Sequence, residues 1–113
     1  MKILILGAGR VGSSLASTLS RENYDVSIID NNKDKLLRLQ EDFDLATVIG
    51  HASHPDTLES AGADEETILL AVTSSDECNI ASCQIAKSKF KVKKTICRLS
   101  DASYLDSLDA FGK

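Results

Sequence analysis

The hexapeptide Gly7-Ala8-Gly9-Arg10-Val11-Gly12 decides the fold of this chain. It follows a four-residue apolar run, Ile3–Leu6, and opens an amphipathic segment whose apolar residues Val11, Leu15 and Leu19 recur every four positions. An apolar run, a glycine-rich turn and a helical period predict a strand, a tight turn and a helix in succession. The three glycines allow, in order, the turn, the close approach of a pyrophosphate and the close packing of helix on strand.

A carboxylate lies where nucleotide binding requires one. The second apolar run, Val26–Ile29, ends in Asp30, eighteen residues after Gly12. Free N–H groups and the positive end of the new helix would face phosphates, and an acid at the tip of the second strand accepts hydrogen bonds from an adenosine ribose. Asp30 favours NAD(H) over NADP(H), because a 2′-phosphate would meet like charge there. The alternatives are a bare structural turn and a solvated acid at a strand end.

Composition limits the classes of protein. At 113 residues the chain is long enough for one domain with a core, which aliphatic side chains must fill because aromatic residues are only 4%. A net charge of −4 and a pI near 5.1 argue against nucleic acid or an anionic membrane surface as the main partner. No apolar run approaches the roughly 20 residues that span a bilayer, and one Lys followed by a strand is not a signal peptide.

The cysteines and histidines do not form a convincing metal site. Cys78, Cys83 and Cys97 are odd in number and lack CxxC spacing, which favours buried, reduced thiols of a cytosolic protein. His51 and His54 lie three apart in a loop without a nearby cysteine ligand, so we interpret them as loop residues.

Strands and helices alternate along the chain. The expected strands are Met1–Leu6, Asp25–Asp30, Leu45–Ile49, Thr67–Val72 and Lys94–Leu99, and the third of them is expected to be buried. The expected helices are Arg10–Glu22, Lys33–Asp42, Asp56–Ala61, Asp76–Phe90 and Ala102–Phe111. Ile80, Ala81 and Ile85 are expected on the buried side of the fourth helix. Right-handed crossovers then predict an α/β fold, a Rossmann-like doubly wound parallel sheet with helices on both faces. Residues 1–113 are expected to be one domain of a longer protein, whose continuation supplies the last strand and a second domain.

Ligands of such folds bind at the carboxyl ends of the strands, where the strand order reverses. The loops expected to converge there are Gly7–Val11, Asp30–Asn32, Gly50–Ser53 and Thr73–Asp76, together with Arg98.

Individual side chains have predicted contacts in that crevice. Arg10 could reach phosphate oxygens or face solvent, and His51 occupies a position that often meets an adenine edge. Thr73 and Ser74 could hold the second half of a dinucleotide. Arg98 ends an otherwise apolar strand and attracts an anion such as a phosphate, unless a nearby acid pairs with it.

The sequence shows no catalytic equipment. A dehydrogenase needs a positioned proton donor beside the nicotinamide, yet Tyr24 and Tyr104 fall at a helix–strand turn and in the last helix. There is no Tyr-xxx-Lys pair, Ser/His/Asp constellation or P-loop lysine. Binding without turnover is therefore the better interpretation.

Five segments together resemble a particular family. GAGRVG, the strand end VSIID, GHAS, AVTSSDECN and CRLSDASYL are similar to the N-terminal nucleotide-binding domain of the regulator of K⁺ conductance (RCK, or KTN) family. The resemblance covers essentially the whole chain. Its discriminating motifs are a strand ending in Ala-Val-Thr, then Asp-Glu-x-Asn leading a helix, and the arginine of the fifth strand.

The resemblance implies a cytosolic gating subunit in which NAD(H) and ATP or ADP compete for one crevice. The ligands would rearrange a homodimer, or a ring of dimers, attached to a membrane potassium channel or transporter. By position, Gly7, Ala8, Gly9, Arg10 and Val11 would hold phosphates, Asp30 the ribose, and Gly50, His51 and Ala52 the adenine side. Thr73 and Ser74 would line the inner crevice, and Arg98 would contact phosphate. His51 departs from the small polar residue usual in the family, and its imidazole could stack on adenine or form a hydrogen bond with it.

Two other classes compete with this interpretation. One is a fragment of an NAD-dependent oxidoreductase whose catalytic domain lies elsewhere in the protein. The other is a structural Rossmann domain without a ligand, which the intact glycine loop and Asp30 disfavour. A substrate domain carrying a His or Tyr-Lys acid–base pair would indicate the enzyme.

Overall fold

A computed structural model describes residues 1–100 of the chain, so the predicted helix Ala102–Phe111 and Tyr104 lie outside the described part. The five strands are β1 Lys2–Leu6, β2 Asp25–Asp30, β3 Ala46–Ile49, β4 Thr67–Ala71 and β5 Lys94–Cys97. The four helices are α1 Arg10–Arg21, α2 Lys33–Asp42, α3 Pro55–Ser60 and α4 Asp76–Lys89. Each agrees with the predicted element to within two residues at either end.

The strands form one parallel sheet in the order β3-β2-β1-β4-β5. β1 is central, pairing Leu6 with Ile29 of β2 on one side and with Ala71 of β4 on the other. The chain winds outward from β1 through β2 to β3, then returns to the other side for β4 and β5. The predicted Rossmann-like α/β fold is confirmed, and its strand order reverses between β1 and β4.

Alternate residues of the central strands supply two separate cores. Ile3, Ile5 and Ile28 pack with Ala16 of α1 and Leu36 of α2 on one face. The opposite face packs β-strand residues against Leu58 of α3 and Ala86 of α4, and its strand members are Leu4, Leu6, Ile29, Leu69 and Ala71. Because both faces are covered, the central strands are continuously apolar.

Two details of the prediction were wrong. The third strand was expected to be buried, but β3 lies at the sheet edge, and Ala46 and Ile49 are exposed. Of the residues of the fourth helix expected to lie inward, Ile85 is half-buried and packs against the core that contains Ala86, as expected. Ile80 and Ala81 are half-buried and belong to neither core, and the buried residues of the helix are Asp76, Asn79, Ser82 and Ala86. The buried face of α4 is therefore largely polar, a feature that apolar periodicity does not detect.

Candidate nucleotide-binding cleft

An open cleft of about 970 Å³ lies at the carboxyl ends of the strands. Four backbone hydrogen bonds extend the sheet one residue past its strands at this edge, from Gly7 N, Gly50 N, Val72 N and Arg98 N to the neighbouring strands. These bonds hold the loops at the strand ends close together. Every predicted site residue except Ala8 lines the cleft: Gly7, Gly9, Arg10, Val11, Asp30, Gly50, His51, Ala52, Thr73, Ser74 and Arg98.

The glycine loop is shaped by two contacts that a side chain would destroy. Gly7 has φ of +103°, in the left-handed region, and a Cβ there would lie 3.0 Å from the Cα of Thr73. A Cβ at Gly12 would overlap the carbonyl oxygen of Gly7. Gly9 has open space around its Cα, on the side where a ligand would approach. Each of the three glycines is thus favoured at its position for a different physical reason, as the motif predicts.

Asp30 holds the glycine loop as well as facing the cleft. Its Oδ1 accepts a hydrogen bond from the N–H of Ala8 at 2.9 Å, and its Oδ2 accepts one from the N–H of Asn32 at 2.8 Å. Ala8 is buried behind the loop, which explains why it does not line the cleft. Asn32 in turn caps α2 by accepting from the N–H of Lys35. The predicted ribose acceptor therefore sits between the phosphate loop and the next helix.

The loop after β3 presents an oriented imidazole. Nδ1 of His51 accepts from the N–H of Ser53 at 3.3 Å and lies 2.8 Å from the Ser53 hydroxyl. In the neutral tautomer whose Nδ1 accepts these bonds, the ring proton is on Nε2, which is then a donor. The ring of His54 stacks on that of His51, with centroids 4.9 Å apart. The two histidines support each other in the loop.

Thr73 lines the cleft, and its backbone and side chain also make hydrogen bonds within the protein. Its N–H and its hydroxyl both donate to Oδ1 of Asn79, at 2.9 and 2.6 Å. The hydroxyl also accepts from the N–H of Ser75, whose own side chain caps α4 at Cys78 N. The N–H and hydroxyl donors that Thr73 was expected to offer a ligand are therefore bonded within the protein, and Thr73 forms part of the wall of the cleft.

Two arginines, Arg10 and Arg98, also line the cleft. Arg10 begins α1 and is exposed in the cleft. Arg98 lies just past β5, and its Nη1 is 3.4 Å from the carbonyl oxygen of Thr73, which is a long hydrogen bond. The exposed guanidinium of Arg98 is thus bonded weakly to the loop that follows β4. Both cations face space that phosphate oxygens could occupy.

Three supporting side chains were missed by the sequence reasoning. Ser13 donates to the carbonyl of Ala8, Ser82 of α4 donates to the carbonyl of Ala52, and Asn79 holds Thr73. Only Asn79 carried a signal, because it closes the Asp-Glu-x-Asn motif three residues after Asp76, on the same side of a helix. Ser13 bonds to a nearby carbonyl and Ser82 to one that is distant in the sequence, and neither serine belongs to a motif that predicts its bond.

The thiols of α4 and β5 are half-buried and reduced. Burial, reinforced by the neighbouring Cys97, raises the pKa of the Cys83 thiol to about 12. Burial likewise raises the pKa of Cys97, an effect that its hydrogen bond with Cys83 opposes. Both thiols are therefore held in the protonated form, which is the less nucleophilic one.

Stability is expected to fall at alkaline pH because of Cys83. The pKa of this thiol rises from an ordinary 9.0 to about 12 on folding, so between these values the unfolded chain has released a proton that the folded chain keeps. Unfolding then becomes easier as pH rises. The free energies of unfolding of the native chain and of Cys83→Ala can be measured by urea denaturation at about pH 8 and about pH 10.5. The native chain should lose more stability than Cys83→Ala between these two pH values. A parallel shift for Cys78→Ala would contradict the assignment to Cys83.

Residues 1–100 contain neither a cluster of three or more His, Cys, Asp or Glu side chains suited to a metal ion nor a helix long and apolar enough to cross a membrane. Tyr24 is 42% exposed and does not line the cleft. In the described part of the chain, the Asp, Glu, Lys and Arg side chains that line the cleft are Arg10, Asp30, Lys35, Glu77 and Arg98. Guanidinium and ammonium groups are of the kind that binds phosphates, and a carboxylate can accept hydrogen bonds from ribose hydroxyls.

Solved structures share this fold. The NAD(P)-binding domain of an exopolyphosphatase-related protein from Archaeoglobus fulgidus superposes with a TM-score of 0.83 at 21% identity, over 97% of this chain and 81% of that one. The GsuK channel bound to NAD superposes at 0.71 and 21% identity, over 95% of this chain and 20% of that one. The AMP-bound C-terminal domain of Kef from Shewanella denitrificans superposes at 0.70 and 19% identity, covering 100% and 83%.

Sequence comparison identifies the family. The chain is 49% identical over 113 residues to the Trk system potassium uptake protein TrkA of Vibrio alginolyticus, covering all of this chain and 25% of that protein. It is 42% identical over 105 residues to TrkA of Halomonas elongata, covering 93% and 23%. The chain thus spans about a quarter of the length of these relatives. The model of the TrkA-N domain matches residues 3–112, and the chain therefore belongs to the TrkA-N domain family.

Proposed function

We propose that this domain binds adenine nucleotides, NAD(H) and ATP or ADP in competition, in the cleft at the carboxyl ends of the strands. The observation that carries the proposal is the joining of Asp30 to the glycine loop beside a cleft of about 970 Å³. That volume lies at the upper end of the range for small-molecule sites. A dinucleotide needs a long, open cleft with cations along it.

The adenosine half would lie on the β2 and β3 side. Asp30 is at the tip of β2, and the His51 loop comes after β3, next to it in the sheet. A carboxylate accepts from ribose hydroxyls, and Nε2–H of His51 is the donor that could meet an acceptor of the adenine edge. Phosphates would lie over Gly9 at the start of α1, where N–H groups and the helix dipole favour negative charge.

The remaining half of a ligand would lie on the β4 and β5 side. There the cleft is lined by Thr73, Ser74 and Arg98. A third phosphate of ATP would bring negative charge to Arg98, whereas NADH would bring a neutral nicotinamide riboside to the same wall. Two structures that share the fold are described as bound to NAD and to AMP, which supports a site open to different adenine nucleotides.

Ligand binding would serve regulation rather than turnover. The relatives are named as potassium uptake proteins, and we propose that the domain is part of a cytoplasmic gating subunit that passes its ligand state to a membrane potassium channel or transporter. Assembly as a homodimer or a ring would let ligand exchange move one subunit against another. A ligand shifts such an equilibrium only if it binds two arrangements with unequal affinity, and the contact with Arg98 is a source of that inequality.

The test is calorimetric titration of the purified chain with NADH, NAD⁺, ATP, ADP and NADPH, alone and in competition. We expect NADH and ATP to compete for one site and NADPH to bind weakly. Tight binding of NADH without competition from ATP or ADP would favour an oxidoreductase fragment instead. Absence of binding by every nucleotide would overturn the proposal.

Arg98→Ala should weaken ATP binding by about tenfold relative to NADH and to ADP, which lacks the third phosphate; tenfold in affinity corresponds to about 1.4 kcal/mol. The guanidinium is exposed and bonded only weakly to Thr73, so its removal should leave the fold intact while removing a charged partner for phosphate. Competition calorimetry measures the ratio. Arg10→Ala is the matched control, since this cation beside the glycine loop should affect all ligands with a pyrophosphate alike. An unchanged ratio in Arg98→Ala would refute the phosphate contact.

A further inference from the structure

Asn79 is a fully buried amide near the start of α4, with 0% of its surface exposed. Its Oδ1 accepts from the N–H and the hydroxyl of Thr73, at 2.9 and 2.6 Å. Its Nδ2 donates to the carbonyl of Thr73 at 3.1 Å and to the carbonyl of Arg98 at 2.9 Å. Both donor hydrogens and both acceptor sites of the amide are therefore used.

These four bonds join two walls of the cleft that belong to different strands. Thr73 lies just past β4 and Arg98 just past β5, and the two residues are 25 positions apart in the chain. Both the peptide groups that flank Thr73 and the carbonyl of Arg98 are fixed to one side chain. The amide thus ties the loop after β4 to the backbone from which the Arg98 side chain begins.

We propose that Asn79 is the positioning residue of the β4–β5 half of the cleft, and that it determines affinity for the part of a nucleotide beyond its adenosine monophosphate. This inference rests on the proposed nucleotide site. Asn79 does not line the cleft, so it acts through Thr73 and Arg98 rather than by contact with a ligand. The adenosine half depends instead on Asp30 and the glycine loop, which Asn79 does not contact through any of these bonds.

The chemistry of the amide makes it difficult to replace. An aspartate of the same shape keeps the acceptor for Thr73 but places a second oxygen against the carbonyls of Thr73 and Arg98, where both groups are acceptors. A leucine of similar volume leaves four polar groups without their partner. Either change should loosen the loop that carries Thr73 against Arg98, which the bond from its N–H to Ala71 still holds beside β4. The opposite side of the cleft keeps its hydrogen bonds.

The experiment compares three ligands on the whole chain. In Asn79→Asp, affinities for NADH and for ATP should each fall by about tenfold or more, while affinity for AMP, which ends at the first phosphate, should stay within about twofold of the native value. Asn79→Leu should behave alike. Equal losses for AMP and NADH would show a general loss of structure and would overturn the positioning role.

Thr67→Val provides the matched control. Thr67 is also fully buried, lies at the other end of β4, and its hydroxyl bonds with Asp64 far from the cleft. It should lower the thermal midpoint as a buried polar change does, yet leave the ratio of NADH to AMP affinity at the native value. A ratio that falls in Thr67→Val as much as in Asn79→Asp would refute the inference.

A measurement on the native chain covers the case in which the Asn79 variants do not fold. The side-chain amide of Asn79 should give a slowly exchanging NMR signal, because it is buried and fully bonded. NADH and ATP should shift this signal, whereas AMP should not. If native binding is normal but NADH leaves the signal unmoved, this inference alone fails. If the native chain binds no nucleotide, the proposed function fails as well.

Discussion

Gly12→Ala is expected to abolish nucleotide binding and to lower the free energy of unfolding by about 3 kcal/mol, the upper end of the range for overpacking. A Cβ at this position would overlap the carbonyl oxygen of Gly7 and come within 3.5 Å of Ile5 Cγ2. Neither can move freely, since Gly7 N is bonded to Ile29 and Ile5 lies in the core between α1 and the sheet. Helix α1 must therefore shift away from β1, and the loop that faces the phosphates moves with it.

Gly9→Ala is the matched control within the same loop. Gly9 has φ of −77°, which alanine adopts, and a Cβ there meets nothing within 4 Å. Stability should change by less than about 0.5 kcal/mol, but the methyl group would occupy space over which a pyrophosphate must pass, so NADH affinity should fall. Urea denaturation and calorimetry separate the two effects. A Gly12→Ala chain of native stability, or a Gly9→Ala chain as unstable as Gly12→Ala, would contradict this account of the loop.

Asp30→Ala should weaken AMP, NADH and ATP alike, by about a hundredfold. One lost charge-assisted hydrogen bond costs about 1.5–3 kcal/mol, and here the ribose loses its acceptor while Ala8 N and Asn32 N lose theirs. The buried N–H of Ala8 is left unsatisfied, so the glycine loop loosens as well. The equal loss across ligands distinguishes Asp30 from Asn79 and Arg98, whose effects should depend on the part of the ligand beyond the adenosine monophosphate.

Two variants complete the Asp30 experiment. Asp25→Ala changes an exposed aspartate at the other end of the same strand and should leave every affinity unchanged. Asp30→Asn retains one acceptor oxygen and removes the charge, so it should lose less affinity and narrow the gap between NADH and NADPH, because like charge no longer opposes the 2′-phosphate. If Asp30→Ala bound AMP with native affinity, Asp30 would not be part of the nucleotide-binding site.

The strand–turn–helix at the start of the chain and the alternation of the later elements could be predicted from the sequence because their causes are local. An apolar run before Gly7, a helical period after Gly12 and a capping Asn32 each depend on residues within one or two turns. The site loops could be predicted for the same reason, since in a parallel sheet every strand ends at the same edge. Chain order alone therefore located Asp30 and Arg98 at the cleft.

Two features could not be predicted in this way. One is the position of β3 at the edge of the sheet, and the other is which side chains of α4 are buried. The sequence of β3 is typical of a buried strand because Val48 and Ile49 are apolar. Burial depends on which strands lie beside it, and within residues 1–100 β3 has a neighbour on one side only. The face of α4 that packs on the sheet carries Asn79 and Ser82, whose polarity suggests exposure until their partners are known. Thr73 looked like a ligand donor for the same reason.

The class of fold, the glycine loop, the acid at the tip of the second strand and the family resemblance could all be inferred from the amino-acid sequence. These depend on backbone requirements and periodicities that neighbouring residues impose. The bonds from Ala8 to Asp30, 22 positions apart, and from Asn79 to Arg98, 19 positions apart, became evident only in the folded chain. Such bonds form between residues that the packing of strands and helices brings together, and a buried polar group reveals its function only when its hydrogen-bond partner is in place.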